Sequence, residues 1–132
     1  MKKPGPLKMV LTACLFAFLM VPMAYSGNYV IIGQGSPKPE EGNKLGNGYI
    51  YVDDQGKHAS KVKIQTQGSS IYVAKIKVFY EGGASVEIPV GKSIFVEEEA
   101  DPITLGTRKE AMEKIMIRFR SPRQATIVLW GR

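Results

Sequence analysis

The chain has 132 residues, with 18 Lys and Arg against 12 Asp and Glu, and its net charge is +6 at neutral pH. This length fits one domain of ordinary size. A single histidine excludes a metal site built on several His ligands, and a single cysteine excludes an intrachain disulfide. Three of the lysines lie in the first eight residues, and the charge of +3 that remains without them falls short of the dense Lys/Arg footprint of a nucleic-acid-binding protein, so we expect no nucleic-acid partner.

The N-terminus has the pattern of a secretory signal peptide. Residues 1–8 carry three lysines and no acid, and residues 9–20 are almost wholly apolar. The small residues Ala24 and Ser26 then stand two apart ahead of Gly27. A basic start, a short apolar segment and small residues at the cleavage site are typical of export. We therefore predict a signal peptide over residues 1–26, cleavage between Ser26 and Gly27, and a secreted or periplasmic protein.

Two alternatives for this leader remain open. A retained membrane anchor is disfavoured because residues 9–25 are shorter than the roughly 20 residues of a spanning helix and Pro22 interrupts them. Residues 11–14, Leu-Thr-Ala-Cys, have the spelling of a lipoprotein signal, but about five apolar residues precede Cys14 and the apolar run continues past it. We expect free secretion, with no transmembrane span after processing.

The mature domain, residues 27–132, loses three lysines and no acid with the leader, which lowers the net charge from +6 to +3. It contains no cysteine, so packing and backbone pairing alone stabilise it. About a hundred residues suffice for one hydrophobic core without such crosslinks. Neither the glycine pairs nor the acidic runs have the spacing of a phosphate loop or a calcium loop, so we expect no cofactor and no metal.

Short apolar runs alternate with turn residues along the mature domain. Residues 36–48 read as an exposed loop, and the glycine pairs 33–35 and 46–48 read as turns. Period-two alternation predicts strands, and Pro89 places its strand at a sheet edge because proline lacks an N–H. The predicted strands are residues 27–32, 49–52, 61–65, 71–80, 85–90, 93–96, 103–105 and 125–130.

Residues 108–119 fit two structures. Their apolar residues fall near one stripe of an amphipathic helix, but Ile115, Ile117 and Phe119 also alternate with polar residues as in a strand. The β-branched pair favours a strand from about Glu113, with at most one helical turn before it. The fold class is therefore all-β, an antiparallel β-sandwich of about seven to eight short strands.

A basic surface is the leading candidate for function. Lys61 and Lys63 alternate along one predicted strand, and Lys75, Lys77 and Phe79 share the outward face of the next. If the 67–70 turn joins the two strands as neighbours, four ammonium groups lie on one face. Arg118, Arg120 and Arg123 form a second basic group. These residues predict a non-catalytic binding domain for an envelope or extracellular partner, such as a protein, a lipid or an acidic glycan.

Two other functions remain open. A small hydrolase would use Glu97, Glu99 or Asp101 together with His58. A protein inhibitor would insert residues 36–48 into the cleft of an extracellular enzyme. No G-x-S-x-G sequence is present to support a serine nucleophile, so we expect no enzyme activity.

Packing motifs extend over most of the mature chain, at residues 48–52, 62–64, 71–80, 103–108, 115–119 and 125–132. The order of these motifs resembles a family of small exported bacterial proteins known only as a domain of unknown function. The likeness implies an exported β-sandwich and no catalytic residues, and it makes Arg108 a further candidate contact.

The export hypothesis has a direct test. Expressed with its own N-terminus in a bacterium, the protein is expected outside the cytoplasm with Gly27 as its first residue, as read by N-terminal sequencing. A Cys14→Ser variant should be exported and cleaved in the same way. If the protein were a lipoprotein attached through Cys14, this substitution would abolish its membrane attachment. An intact precursor in the cytosol would contradict the prediction.

Overall fold

The computed structural model describes residues 28–132, which form eight β-strands and no α-helix. Short 3-10 turns lie at Glu41–Asn43 and Asp54–Gly56. The strands are β1 (Val30–Gly35), β2 (Gly46–Tyr51), β3 (Lys61–Gln67), β4 (Ile71–Tyr80), β5 (Ser85–Ile94), β6 (Ile103–Thr104), β7 (Met112–Arg120) and β8 (Thr126–Gly131). The predicted signal peptide, its cleavage site at Ser26 and Gly27, and Cys14 lie outside the described residues.

The strands form two antiparallel sheets that pack into a sandwich. The first sheet has the order β1-β8-β3-β6, and the second has the order β2-β7-β4-β5. The predicted antiparallel sandwich of seven to eight strands is therefore confirmed. Within residues 28–132, no helix is long and apolar enough to cross a membrane.

The core lies between the two sheets and follows the period-two alternation of the strands. On β4, Ile76, Val78 and Tyr80 are buried as predicted, while the alternate side chains point outward. On β8, alternation splits the strand between two clusters. Ile127 and Leu129 belong to the main core, whereas Val128 and Trp130 form a small cluster with Tyr29 and Ile31 on the other face.

The ambiguous segment is a strand. β7 spans Met112–Arg120 and pairs with both β2 and β4, so no helical turn precedes it. Ile115, Ile117 and Phe119 are buried in the core, which confirms the strand interpretation. Three inward apolar side chains between two partner strands outweigh the helical stripe, because tertiary pairing commonly overrides local propensity.

The two predicted glycine turns are wrong, because both glycine pairs lie inside strands. A Cβ on Gly33 would lie 2.7 Å from the carbonyl oxygen of Tyr51, and one on Gly48 would lie 2.6 Å from Cβ of Pro37. These glycines are needed where another part of the chain passes too close for a side chain. Residues 46–48 accordingly belong to β2 rather than to the predicted loop.

The predicted strands 85–90 and 93–96 are one strand, β5, which ends at Ile94. β5 forms an edge of the second sheet, as Pro89 predicted. Pro89 lies opposite Lys75 of β4, and the missing N–H is tolerated because one side of β5 has no partner strand in that sheet.

The prediction that β3 and β4 are adjacent strands of one sheet is wrong. β3 pairs with β6 and β8 in the first sheet, and β4 pairs with β5 and β7 in the second. The 67–70 turn therefore crosses from one sheet to the other. Hence Lys61 and Lys63 lie on a different sheet from Lys75 and Lys77, and the four lysines do not form one face.

The centre of β4 should dominate the stability of the fold. Ile76 is fully buried, so Ile76→Ala is expected to lower the free energy of unfolding by roughly 2–5 kcal/mol in urea denaturation. The matched control is Val30→Ala, which truncates a side chain that is 42% exposed and should change stability by less than about 1 kcal/mol. Equal losses in the two variants would contradict this arrangement of the core.

Candidate functional site

The outer surface of the second sheet combines aromatic and basic side chains. Its cross-strand register places side chains from β2, β7, β4 and β5 in four rows. The rows are Tyr51–Lys114–Phe79–Ser85, Tyr49–Met116–Lys77–Glu87, Asn47–Arg118–Lys75–Pro89 and Arg120–Tyr72–Ser93. We call this surface the aromatic–basic face and define it by Tyr49, Tyr51, Tyr72, Lys75, Lys77, Phe79, Lys114, Arg118 and Arg120.

Charge on these rows is strongly unbalanced. They hold five cationic side chains and a single carboxylate, Glu87. Because alternate residues of each strand face the core, the outward set is held at fixed spacings by the pleat of the sheet. The face therefore presents positive charge on a rigid scaffold.

Lys114 lies among three aromatic rings at one end of the face. Its Nζ is 5.2 Å from the ring centroid of Tyr49, 5.7 Å from that of Tyr51 and 5.2 Å from that of Phe79. The rings of Tyr49 and Phe79 are 6.4 Å apart between centroids. Such distances are those of cation–π contacts. Among residues 28–132, no carboxylate forms a salt bridge with Lys114.

The two tyrosines of this group are open to solvent. Tyr49 is 49% exposed and Tyr51 is 67% exposed, although both are large aromatic side chains. Exposed aromatic residues beside a cation form a surface on which the rings of a partner can stack.

The other end of the face is more basic. Lys75 bridges Glu87 at 3.3 Å, and the guanidinium of Arg118 donates a hydrogen bond to Asn47 Oδ1 at 3.0 Å. The guanidinium of Arg120 lies 4.5 Å from the ring centroid of Tyr72. These contacts orient the cations without neutralising most of them.

Lys77 connects the two ends. Its Nζ is 5.2 Å from the ring centroid of Phe79, and it lies opposite Glu87 in the register of β4 and β5. Five predicted contacts are thus brought together on one face. They are Lys75, Lys77, Phe79, Arg118 and Arg120.

The remaining predicted lysines lie on the first sheet. Lys63 is only 9% exposed, its Nζ lies 2.8 Å from Glu99 Oε2, and it sits 4.4 Å from the ring centroid of Tyr29. Lys61 pairs with Thr104 at the end of the sheet. The salt bridge of Lys63 thus links Glu99, in the segment between β5 and β6, to β3.

Arg108 lies apart from the aromatic–basic face, in the segment between β6 and β7. Its guanidinium stacks 4.8 Å from the ring centroid of Tyr80 and pairs with Glu110 at 3.4 Å. Burial raises the pKa of Tyr80, an effect that the positive charge of Arg108 partly opposes. The observed contacts of Arg108 therefore fit packing at one end of the sandwich.

Two of the three acidic residues of the hydrolase hypothesis border a cavity of about 440 Å³ between β5 and the segment that leads into β6. Glu99 and Asp101 line it, but His58 and Glu97 do not. Asp101 pairs with Lys92 at 2.8 Å. The pKa of Asp101 is below its usual range, mainly because of this hydrogen bond and secondly because of the positive charge of Lys92. Such a carboxyl is ionised at neutral pH, which is the opposite of what a general acid requires.

The segment of the inhibitor hypothesis folds back on the sandwich. Ser36 Oγ lies 2.8 Å from Thr126 Oγ1, and Gln124 Nε2 donates a hydrogen bond to the Ser36 carbonyl at 2.7 Å. Pro37 packs against β2 at Gly48. In the described part of the chain, no group of three or more metal-ligating side chains is arranged to hold a metal ion.

No protein-family model matches this chain, and no curated protein sequence matches it. The resemblance to a family of small exported proteins therefore stays a prediction.

Sequence reasoning missed Tyr49, Tyr51, Tyr72 and Lys114 as members of the site. A signal for Lys114 was present, because it alternates with Ile115 and Ile117 along a predicted strand. What the sequence did not reveal is that β7 lies between β2 and β4. That neighbourhood alone brings the tyrosines of β2 to Lys114.

The Lys92–Asp101 pair makes a pH-dependent prediction. In Lys92→Met, the pKa of Asp101 should rise toward its ordinary value, as followed by NMR titration of the side-chain carboxyl. Because the folded-state pKa is lowered, the contribution of the pair to stability is present above the unfolded-state pKa and is lost as the pH falls through the folded-state value. Lys44→Met removes a lysine from another loop and should leave this titration unchanged. An unaltered Asp101 titration in Lys92→Met would show that the pair does not set it.

Proposed function

We propose that this protein is an exported, non-catalytic binding domain that recognises an anionic polymer of the cell envelope or the extracellular space through the aromatic–basic face. The single observation that carries this proposal is the placement of five cations and four aromatic rings on the outer face of one sheet. The signal-peptide pattern of residues 1–26 supports export.

The geometry favours binding over chemistry. The residues of the aromatic–basic face do not line the cavity beside β5, whereas catalysis commonly depends on an enclosed space from which water is excluded. Cations held at fixed spacings on the sheet instead favour a long ligand with repeated negative charges. Each contact with such a ligand releases a bound counterion and adds to the affinity.

The positions of the charges, rather than the net charge, should determine binding. The double variant Lys77→Gln/Arg118→Gln is expected to bind heparin about tenfold more weakly at fixed salt. Its plot of log affinity against log salt concentration should lose about two units of slope, since each lost contact accounts for about one.

The matched control is Lys61→Gln/Lys109→Gln, which removes the same charge from positions outside the face. Its heparin affinity should stay close to that of the unchanged protein. If both double variants weakened heparin binding equally, the binding would depend on net charge alone, and the proposal would be contradicted. Circular dichroism should confirm that both variants keep the β-structure.

A further inference from the structure

We propose that the ligand is an acidic polysaccharide, whose sugar rings stack on Tyr49, Tyr51 and Phe79 while a carboxylate on one sugar pairs with Lys114. This inference rests on the proposed function and narrows it to one class of polymer. The observation behind it is the single ammonium group placed among three aromatic rings.

The rings supply a surface that charge alone does not need. Tyr51, Lys114 and Phe79 form one cross-strand row, so the two rings flank the ammonium group on neighbouring strands. Strands lie about 4.8 Å apart, which separates the two aromatic positions by about 10 Å. A polymer without rings, such as polyphosphate, gains no stacking contact with these side chains, whereas the apolar face of a sugar ring can stack on them.

Lys114 is suited to bind an anion from solution. It forms no salt bridge with any carboxylate among residues 28–132, as the contacts of this part of the chain show. The aromatic rings hold the ammonium group by cation–π contacts and restrict its rotamers. An anionic substituent that reaches it therefore meets a cation that is already positioned.

Aromatic rings and cations lie together at this end of the face. Three rings surround the ammonium group of Lys114 here, and the ammonium group of Lys77 also lies 5.2 Å from the ring centroid of Phe79. A polysaccharide that carries carboxylates on saturated rings can stack those rings on this surface and pair a carboxylate with Lys114. The expected export of the protein also places it among envelope glycans.

The test compares polymers that separate rings from charge. Binding of the full chain is measured by isothermal titration calorimetry with polygalacturonate, carboxyl-reduced polygalacturonate, polyphosphate and a single-stranded oligothymidylate. Polygalacturonate should bind most tightly. The carboxyl-reduced polymer, which keeps the rings without the charge, should bind at least tenfold more weakly.

Four variants test the residues, one of them a control outside the face. Tyr49→Ala/Tyr51→Ala should weaken polygalacturonate binding about tenfold, a loss typical of removing an aromatic stacking surface, and should change polyphosphate binding less than twofold. Lys114→Met should lower polygalacturonate affinity about tenfold, and Lys114→Arg should restore most of it. Lys61→Gln, outside the face, should have no effect.

The outcomes separate this inference from the proposed function. If polygalacturonate and polyphosphate bind equally well and the tyrosine variant affects neither, the glycan inference is wrong while the basic face still binds polyanions. Tighter binding of the oligothymidylate would overturn it in favour of a nucleic acid. Salt-independent or absent binding of all four polymers would overturn both proposals.

Discussion

The antiparallel pairing of β4 with β7 is the constraint on which the rest of the second sheet depends. Ile76 lies opposite Ile117 and Val78 lies opposite Ile115 in this pair, and all four side chains are fully buried. A shift of one residue would turn them toward solvent and would turn the outward lysines and arginines into the core. The large cost of burying unpaired charge therefore fixes the register. The same register that protects the core arranges the aromatic–basic face.

Local alternation made much of the fold predictable. The sequence of β4 has the same limits as the predicted strand, and the edge position of β5 followed from one proline without an N–H. The choice of partner strand was not predictable, because it depends on contacts distant in sequence. The 67–70 turn looks like a hairpin, but Thr66 Oγ1 donates to the Ser69 carbonyl at 2.8 Å and Ser69 Oγ lies 3.2 Å from Ser121 Oγ. These buried polar contacts stabilise a crossing between the sheets instead.

The two sheets use their outer faces differently. On the first sheet, Trp130 Nε1 donates to Gln65 Oε1 at 3.1 Å, and Lys63 pairs with Glu99. Lys63, Gln65 and Trp130 are buried, and their polar groups are paired, as groups removed from water must be to avoid a desolvation penalty. On the second sheet, Tyr49, Tyr51 and Arg120 are exposed, and the other cations of the aromatic–basic face are half-buried. The contrast explains why lysines that looked equivalent in sequence have different roles: Lys63 stabilises the fold, whereas Lys77 belongs to the candidate site.

A site built on paired strands has a further physical consequence. The side chains of the aromatic–basic face stand on four hydrogen-bonded strands, so little backbone entropy is lost when a ligand binds. Four rows along the strands, about 6.8 Å apart, span about 20 Å, whereas four strands span about 14 Å across the sheet. Because Tyr49 and Tyr51 lie at one end of this area and Arg120 at the other, a ligand that touches both ends must be extended. The proposed ligand is therefore a polymer rather than a small molecule, since only a polymer can contact the stacking rings and the distant cations together.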